Sequence, residues 1–378
     1  MINLAALENS MSIRRSPLAR RSFLVGGLTV TAVGTLGLPA HGAPFRPAAP
    51  SIAGCDEWGA REPTSAIDVL DSKPTKIIVH HTASANVDDT SQAQAFALSR
   101  AIQDHHMDGN GWKDTGQNFT NSRGGWLTEG RHKSLSVLTA GEQHVLGAHA
   151  GDQNSVSLGI ENEGTYTSTD VPAKLWTSLV ELCTYMIAQY GISASAIYGH
   201  RDFMSTECPG EVLYGRLPEL REAVGAAVGQ HVVHPVTWLL LKPGATGPAV
   251  TATQYLLRAQ GATDVPVDGV YGPQTQTATA QFLRDHHFET ATCYATRIEE
   301  PSLFGGTAWT ALAPVLSGDG QGDAVRALQT LLTSRGHYVP ADAHYAGRTA
   351  TAVSDFQAAN GLQPTGVADH EVWKRLLR

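Results

Sequence analysis

Between Gly199 and Gly210 the chain reads Gly199-His200-Arg201-Asp202-Phe203-Met204-Ser205-Thr206-Glu207-Cys208-Pro209-Gly210. His200 and Cys208 are good donors for a borderline-soft metal such as zinc. Eight residues apart, they do not share a helix face, and Gly and Pro bound the segment as a loop. Completion must come from elsewhere, and Ile77-Ile78-Val79-His80-His81-Thr82 offers two histidines at the end of an apolar run. Two His and one Cys make three protein ligands, one fewer than a closed structural zinc site has. The fourth position then belongs to water, the arrangement of catalytic zinc.

The elements that must carry these donors alternate between strand and helix. Ile77 to Thr82 is a short apolar run that predicts a buried strand. Thr90 or Ser91 caps a helix whose Ala95, Leu98 and Ile102 share one stripe. Asn118 to Arg131 predicts a hairpin turned at Gly124-Gly125, and Val156 to Glu161 a strand. A helix follows with Pro172 in its first turn, Trp176, Leu179, Val180, Cys183 and Ile187 on one side, and Gly191 as its stop. Ile197-Tyr198 then leads into the His200 loop. The alternation predicts a mixed α/β domain over about residues 55–228.

Composition bounds the rest. The chain has 378 residues, 42% of them hydrophobic and 16% charged, which fits two or three ordinary globular domains. A net charge of -8, with no Lys/Arg cluster outside the N-terminus, excludes nucleic acid as a partner. Four Cys do not make a disulfide scaffold in a chain of this length. Residues 1–43 read as a targeting segment: Arg14-Arg15 and Arg20-Arg21 precede a diluted apolar run from Phe23 to Leu38, which ends in small residues suited to cleavage after Gly42 or Ala43. Arg20-Arg21-Ser22-Phe23-Leu24 resembles the twin-arginine export motif. The run reaches roughly 24 Å as a helix, short of a ~30 Å hydrocarbon core, so no membrane span is expected to survive processing. Met11 is an alternative start. Secretion to the cell wall is expected, an oxidising destination in which Cys55 and Cys183 have the opportunity to pair. Residues 44–54 read as a Pro- and Ala-rich tether.

Four ordered blocks now carry a resemblance: Ile78-Val79-His80-His81-Thr82; Gly116-Gln117-Asn118-Phe119 through Glu129-Gly130-Arg131; His149-Ala150-Gly151 through Gly159-Ile160-Glu161; and the His200–Cys208 loop. Over residues 58–215 the chain resembles the zinc N-acetylmuramoyl-L-alanine amidases that share a fold with the peptidoglycan recognition proteins. The resemblance implies an α/β mixed-sheet amidase domain with helices on the sheet. It also implies one zinc ion (Zn2+) held by His80, His200 and Cys208, and hydrolysis of the amide between N-acetylmuramic acid and L-alanine of peptidoglycan. Glu161 matches the glutamate that serves as base in the cell-wall-recycling branch; its structural alternative is an ion pair with Arg131 or a place facing solvent. Gln117 stands where catalytic recognition proteins carry Tyr, and Gln cannot titrate. Thr206 matches a position that is Lys or Thr in relatives, where a hydroxyl steadies a developing oxyanion. His149 is expected to line the substrate groove beside Gln117. His105-His106 and His286-His287 lack a supporting loop and are expected to be solvated. The competing functions are a peptidase cutting elsewhere in the stem peptide and a non-catalytic receptor, which in this family usually lacks the Cys ligand.

From Trp238 onward the sequence repeats. Gly247-Pro248-Ala249-Val250 and Gln254-Tyr255-Leu256-Leu257 recur 75 residues later, and Tyr271, Thr275 and Phe282 recur 74 later as Tyr345, Thr349 and Phe356. Trp309 and Leu312 recur only 64 later, as Trp373 and Leu376, so the first copy carries about ten extra residues that include Cys293. The copies, 238–313 and 316–378, resemble the three-helix peptidoglycan-binding modules of cell-wall hydrolases. Two copies are fewer than a solenoid needs, so each is expected to be an independent bundle that tethers a monomeric enzyme to muropeptides. Asp268-Gly269-Val270-Tyr271-Gly272 fits the module's loop, whereas Asp342-Ala343-His344-Tyr345-Ala346-Gly347 departs from it and puts that loop's geometry in question.

Overall fold

The computed structural model describes residues 47–288 and 302–378. The targeting segment, the first residues of the tether and the insertion around Cys293 lie outside the described residues. In the first domain the strands are β1 (Ile52–Ala53), β2 (Val69–Leu70), β3 (Lys76–His81), β4 (Phe119–Asn121), β5 (Leu127–Glu129), β6 (His144–Val145), β7 (Ser157–Asn162) and β8 (Ile197–Gly199). The helices are α1 (Cys55–Trp58), α2 (Gln92–Asp104), α3 (Ser134–Ala140), α4 (Ala173–Tyr190), α5 (Glu211–Gly215) and α6 (Leu217–Val228).

Six strands form one mixed sheet in the order β1-β5-β4-β7-β3-β8, and β2 pairs with β6 apart from it. β3 runs parallel to both β7 and β8, β7 parallel to β4, and the β4–β5 hairpin is antiparallel. Strand alternation divides the two faces. Ile77 and Val79 of β3, Leu158 and Ile160 of β7 and Phe119 of β4 pack with Leu175, Leu179, Leu182 and Met186 of α4 and with Leu220 and Val224 of α6. Ile78, His80, Gly159, Glu161 and Thr120 alternate to the other face, with His80 and Thr120 each in register with Glu161. On that face Ser99 of α2 shares a 2.8 Å hydroxyl contact with Thr128 of β5.

Local signals in the sequence are realised closely. Ser91 is the N-cap of α2, its hydroxyl accepting the Gln94 amide at 3.2 Å. α4 stops at Gly191, whose φ of 74° is the left-handed conformation of a C-cap. Pro172 is its N-cap rather than a first-turn residue, and Trp176 and Val180 flank the buried stripe instead of joining it. Cys55 and Cys183 are not disulfide-linked. Cys55 starts α1, where its Sγ approaches the Gly130 carbonyl at 3.5 Å, and Cys183 sits in the α4 core.

The repeat region folds into α7 (Pro248–Ala259), α8 (Pro273–Asp285), α9 (Ala308–Leu312), α10 (Asp323–Ser334), α11 (Gly347–Ala359) and α12 (His370–Leu377). Each copy contributes three helices, but the copies are not independent. Val250, Leu256 and Trp309 belong to the same buried cluster as Val325, Leu331 and Trp373. Arg258 of α7 also pairs with Asp323 of α10 at 3.2 Å. The questioned loop keeps its geometry. Gln254 bonds Asp268 Oδ1 and Thr275 Oγ1 in the first copy, and Gln329 bonds Asp342 Oδ1 and Thr349 Oγ1 in the second. Ala343 adopts a φ of 65° where the first copy has Gly269 at 71°. A left-handed alanine costs roughly 1–2 kcal/mol, and the conserved Gln bridge holds it there.

Candidate metal centre

The donors converge at the carboxyl ends of β3 and β7, the usual place for a site in an open α/β sheet. The register puts His80 beside Glu161 on one face, and β8 runs alongside β3 to deliver His200 immediately after Gly199. The loop returns Cys208 through a hydrogen bond from the Arg201 amide to the Cys208 carbonyl at 2.9 Å. His80, His200 and Cys208 are all buried, and their donor atoms lie within 4.8 Å of one another. His80 Nδ1 is 3.7 Å from Cys208 Sγ. Tetrahedral zinc bond lengths imply an N···S separation of about 3.5 Å, so this donor set fits the metal.

The surroundings favour the ligating forms. Burial, reinforced by the neighbouring imidazoles, holds His80 well below the ordinary histidine range. Burial likewise lowers His200 to about 3, with His81 adding to it. Metal ligation needs neutral imidazole, and both rings are kept neutral. The His81 amide donates to Cys208 Sγ at 3.3 Å and orients it toward His80. With Nδ1 of His80 left as a donor to metal, Nε2 carries the proton and donates to His149 Nδ1 at 3.0 Å. The His149 ring is clasped tightly: a Cβ on Gly159 would stand 2.5 Å from its Cγ, and one on Gly147 2.6 Å from its Cδ2. His149 is lowered to about 3, chiefly by burial.

His80, His81, His106, Trp112, His149, Glu161, His200 and Cys208 line a cavity of about 30 Å3, room for one water-sized group. Glu161 therefore borders the space between the donors. Arg131 donates to the Thr115 and Leu146 carbonyls at 2.6 and 2.8 Å, and Glu161 is buried rather than facing solvent. Gln117 and Thr206 do not line the cavity. Gln117 is buried behind it, donating to Thr120 Oγ1 at 2.9 Å while its Oε1 accepts from no protein group among the described residues. Thr206 is fully buried, and its hydroxyl accepts the Cys208 amide at 3.1 Å, bracing the loop.

His106 corrects the expectation of a solvated pair. After α2 the backbone widens into a π turn, His105–Gly109, which turns His106 inward; such bulges recur at functional sites. His106 Nδ1 accepts the Gly116 amide at 3.0 Å, and its ring lies 4.7 Å from that of Trp112. From sequence, His106 is left in solvent and Trp112 is not singled out. A Trp in a Gly-rich loop just before the hairpin was the available signal.

The residues that build this site lie within a region similar to known proteins. The N-acetylmuramoyl-L-alanine amidase family matches residues 70–211, which include all three donors, and the peptidoglycan binding domain family matches residues 321–376. Peptidoglycan-recognition protein SC2 of Drosophila simulans is 33% identical over 168 residues, 44% of this chain and 84% of that protein. An N-acetylmuramoyl-L-alanine amidase of Sus scrofa is 29% identical over 171 residues, 44% of this chain and 27% of that protein. Among solved structures, Drosophila peptidoglycan recognition protein LB aligns over 44% of this chain and 92% of its own, with 26% identity and a TM-score of 0.39.

Proposed function

We propose that this chain, which belongs to the family of N-acetylmuramoyl-L-alanine amidases and peptidoglycan-recognition proteins, is an exported zinc hydrolase that cleaves the amide between N-acetylmuramic acid and L-alanine. The observation that carries the reading is the convergence of His80, His200 and Cys208 on one side of a cavity whose wall includes Glu161. When bound, zinc supplies an acidified water and a Lewis acid for the amide carbonyl. Glu161 takes the proton of the attacking water and returns it to the amine of L-alanine as that group leaves. His149 fixes the His80 ring by accepting its Nε2 proton. Gln117 cannot act as a base, and buried outside the cavity lining it has no direct contact to offer a substrate. Thr206 supports the Cys208 turn.

A binding-only role is the second reading, and Gln117 in the place of Tyr is the observation that favours it. The intact donor set with Glu161 beside it favours hydrolysis. The repeats attach the enzyme to the wall, and the first copy carries a groove of about 690 Å3 between α7 and α8, bordered by Val265, Phe282 and Gln281. Export by the twin-arginine route and a monomeric state complete the proposal. The test is metal content. The purified chain should carry about one zinc per molecule, and Cys208→Ala should lose metal and wall hydrolysis together while remaining folded. Full hydrolysis by metal-free protein would refute the site.

A further inference from the structure

Two of the three donors sit on a loop that the sheet holds only at its ends, and the middle of that loop rests on the first repeat. Thr307 approaches Phe203 with both its amide and its hydroxyl, at 3.1 and 2.9 Å from the Phe203 carbonyl. The Gly305 amide donates to Ser205 Oγ at 3.1 Å, and that hydroxyl lies 3.3 Å from the Gly305 carbonyl. Between these bonds Gly306, at a φ of 57°, brings the backbones so close that a Cβ would stand 2.4 Å from the Met204 nitrogen. Met204 in turn places its Sδ 3.0 Å from His200 Nε2.

The support is anchored rather than loose. Phe304 is fully buried in the repeat core, and it exchanges backbone hydrogen bonds with Leu241 at 2.8 and 3.1 Å. Two further contacts hold the same loop. Lys242 pairs with Glu207 at 2.6 Å, one residue before Cys208. Asp202, buried within the loop, accepts the Tyr214 hydroxyl at 2.5 Å, and that hydroxyl meets Thr237 Oγ1 at 2.9 Å. Thr237 is in turn held by Arg378, whose Nε donates to the Thr237 carbonyl at 2.8 Å. The chain's last residue is thus two side chains away from the metal loop.

We infer that the repeat region is a positioning element of the metal site: the Gly305–Thr307 segment clamps Phe203–Ser205 and thereby holds His200 and Cys208 in ligating geometry. Gly305, Gly306 and Thr307 are positioning residues, and none of them lines the donor cavity. The consequence separates this role from tethering. A tether raises the local substrate concentration and leaves the chemistry alone, whereas a clamp changes metal retention and turnover even on a small soluble muropeptide. The inference rests on the proposed function only in naming His200 and Cys208 as metal donors.

The experiment uses the full chain and two variants, Gly306→Ala and the pair Ser205→Ala with Thr307→Val, so that misfolding of one leaves the other to decide. Hydrogen exchange is followed by mass spectrometry in metal-free protein, and zinc transfer to a chelator in loaded protein. Both variants should speed exchange in residues 200–208 by about tenfold, the scale of one or two lost hydrogen bonds, with β3, β7 and α7 unchanged. Zinc should leave correspondingly faster, and Thr307→Ser, which keeps the hydroxyl, should behave as the parent. Unchanged exchange in residues 200–208 in both variants would overturn the clamp. A parent chain that binds no zinc would instead defeat the proposed function, and loop exchange would still decide the clamp.

Discussion

Glu161 and His80 occupy one register position on neighbouring strands, so the proposed base and a metal ligand are held by backbone pairing rather than by flexible loops. Glu161→Gln keeps the shape and removes the titrating group. It should retain zinc and substrate affinity while lowering kcat by roughly 10²–10⁴-fold, the range for lost general base catalysis. Near-normal kcat in that variant would move the proton to another residue. His106 tests burial itself. Its pKa is lowered from 6.5 to about 3, mainly by burial, so between those values the unfolded chain binds a proton that the folded chain does not. Stability is therefore fully present above about pH 6.5 and is lost as pH falls toward 3. In metal-free protein, His106→Gln should flatten the acid-side slope of unfolding free energy by up to about 1.4 kcal/mol per pH unit. An unaltered slope in denaturant titrations would contradict the burial argument. At this scale the donors were legible because His and Cys types announce metal chemistry. His106 was not, because a π turn has no compositional mark and two adjacent histidines read equally well as a polar surface.

Strand alternation does most of the positioning at the level of elements. The period of two in β3 and β7 sends Ile77, Val79, Leu158 and Ile160 to the helices and leaves His80, Gly159 and Glu161 on the opposite face. Gly159 is part of that arrangement, because the His149 ring occupies the space a side chain would need. Gly159→Val should displace the ring and destabilise the fold by about 1–3 kcal/mol, the cost of overpacking, measurable as a lowered Tm with reduced hydrolysis. A parent-like Tm would mean the ring moves aside freely. Strands, caps and the hairpin were readable because each has a local signature of period, capping residue or turn glycine. The shared core of the two repeats was not, because pairing between α7 and α10 is a long-range choice that two similar amphipathic helices do not reveal. The second repeat's loop was misjudged for a related reason: Gln329 and Asp342 fix the turn, and the left-handed Ala343 is carried along by them.

Across the whole molecule, the candidate metal site on a mixed sheet is joined to a paired-repeat region that touches the loop carrying His200 and Cys208. The alternation of elements showed the first domain and the 75-residue repeat showed the second region. Their contact through Phe203–Ser205 and Gly305–Thr307 has no sequence signature, since hydrogen bonds between loops depend on backbone placement alone. The account's central claim is the bond that is cut, and mass spectrometry of the fragments released from purified peptidoglycan reads it directly. The account predicts stem peptides with a free L-alanine amino terminus and glycan strands bearing intact lactoyl groups. Fragments with new amino termini inside the stem peptide, or no released fragments from a zinc-loaded chain that binds the wall, would contradict it.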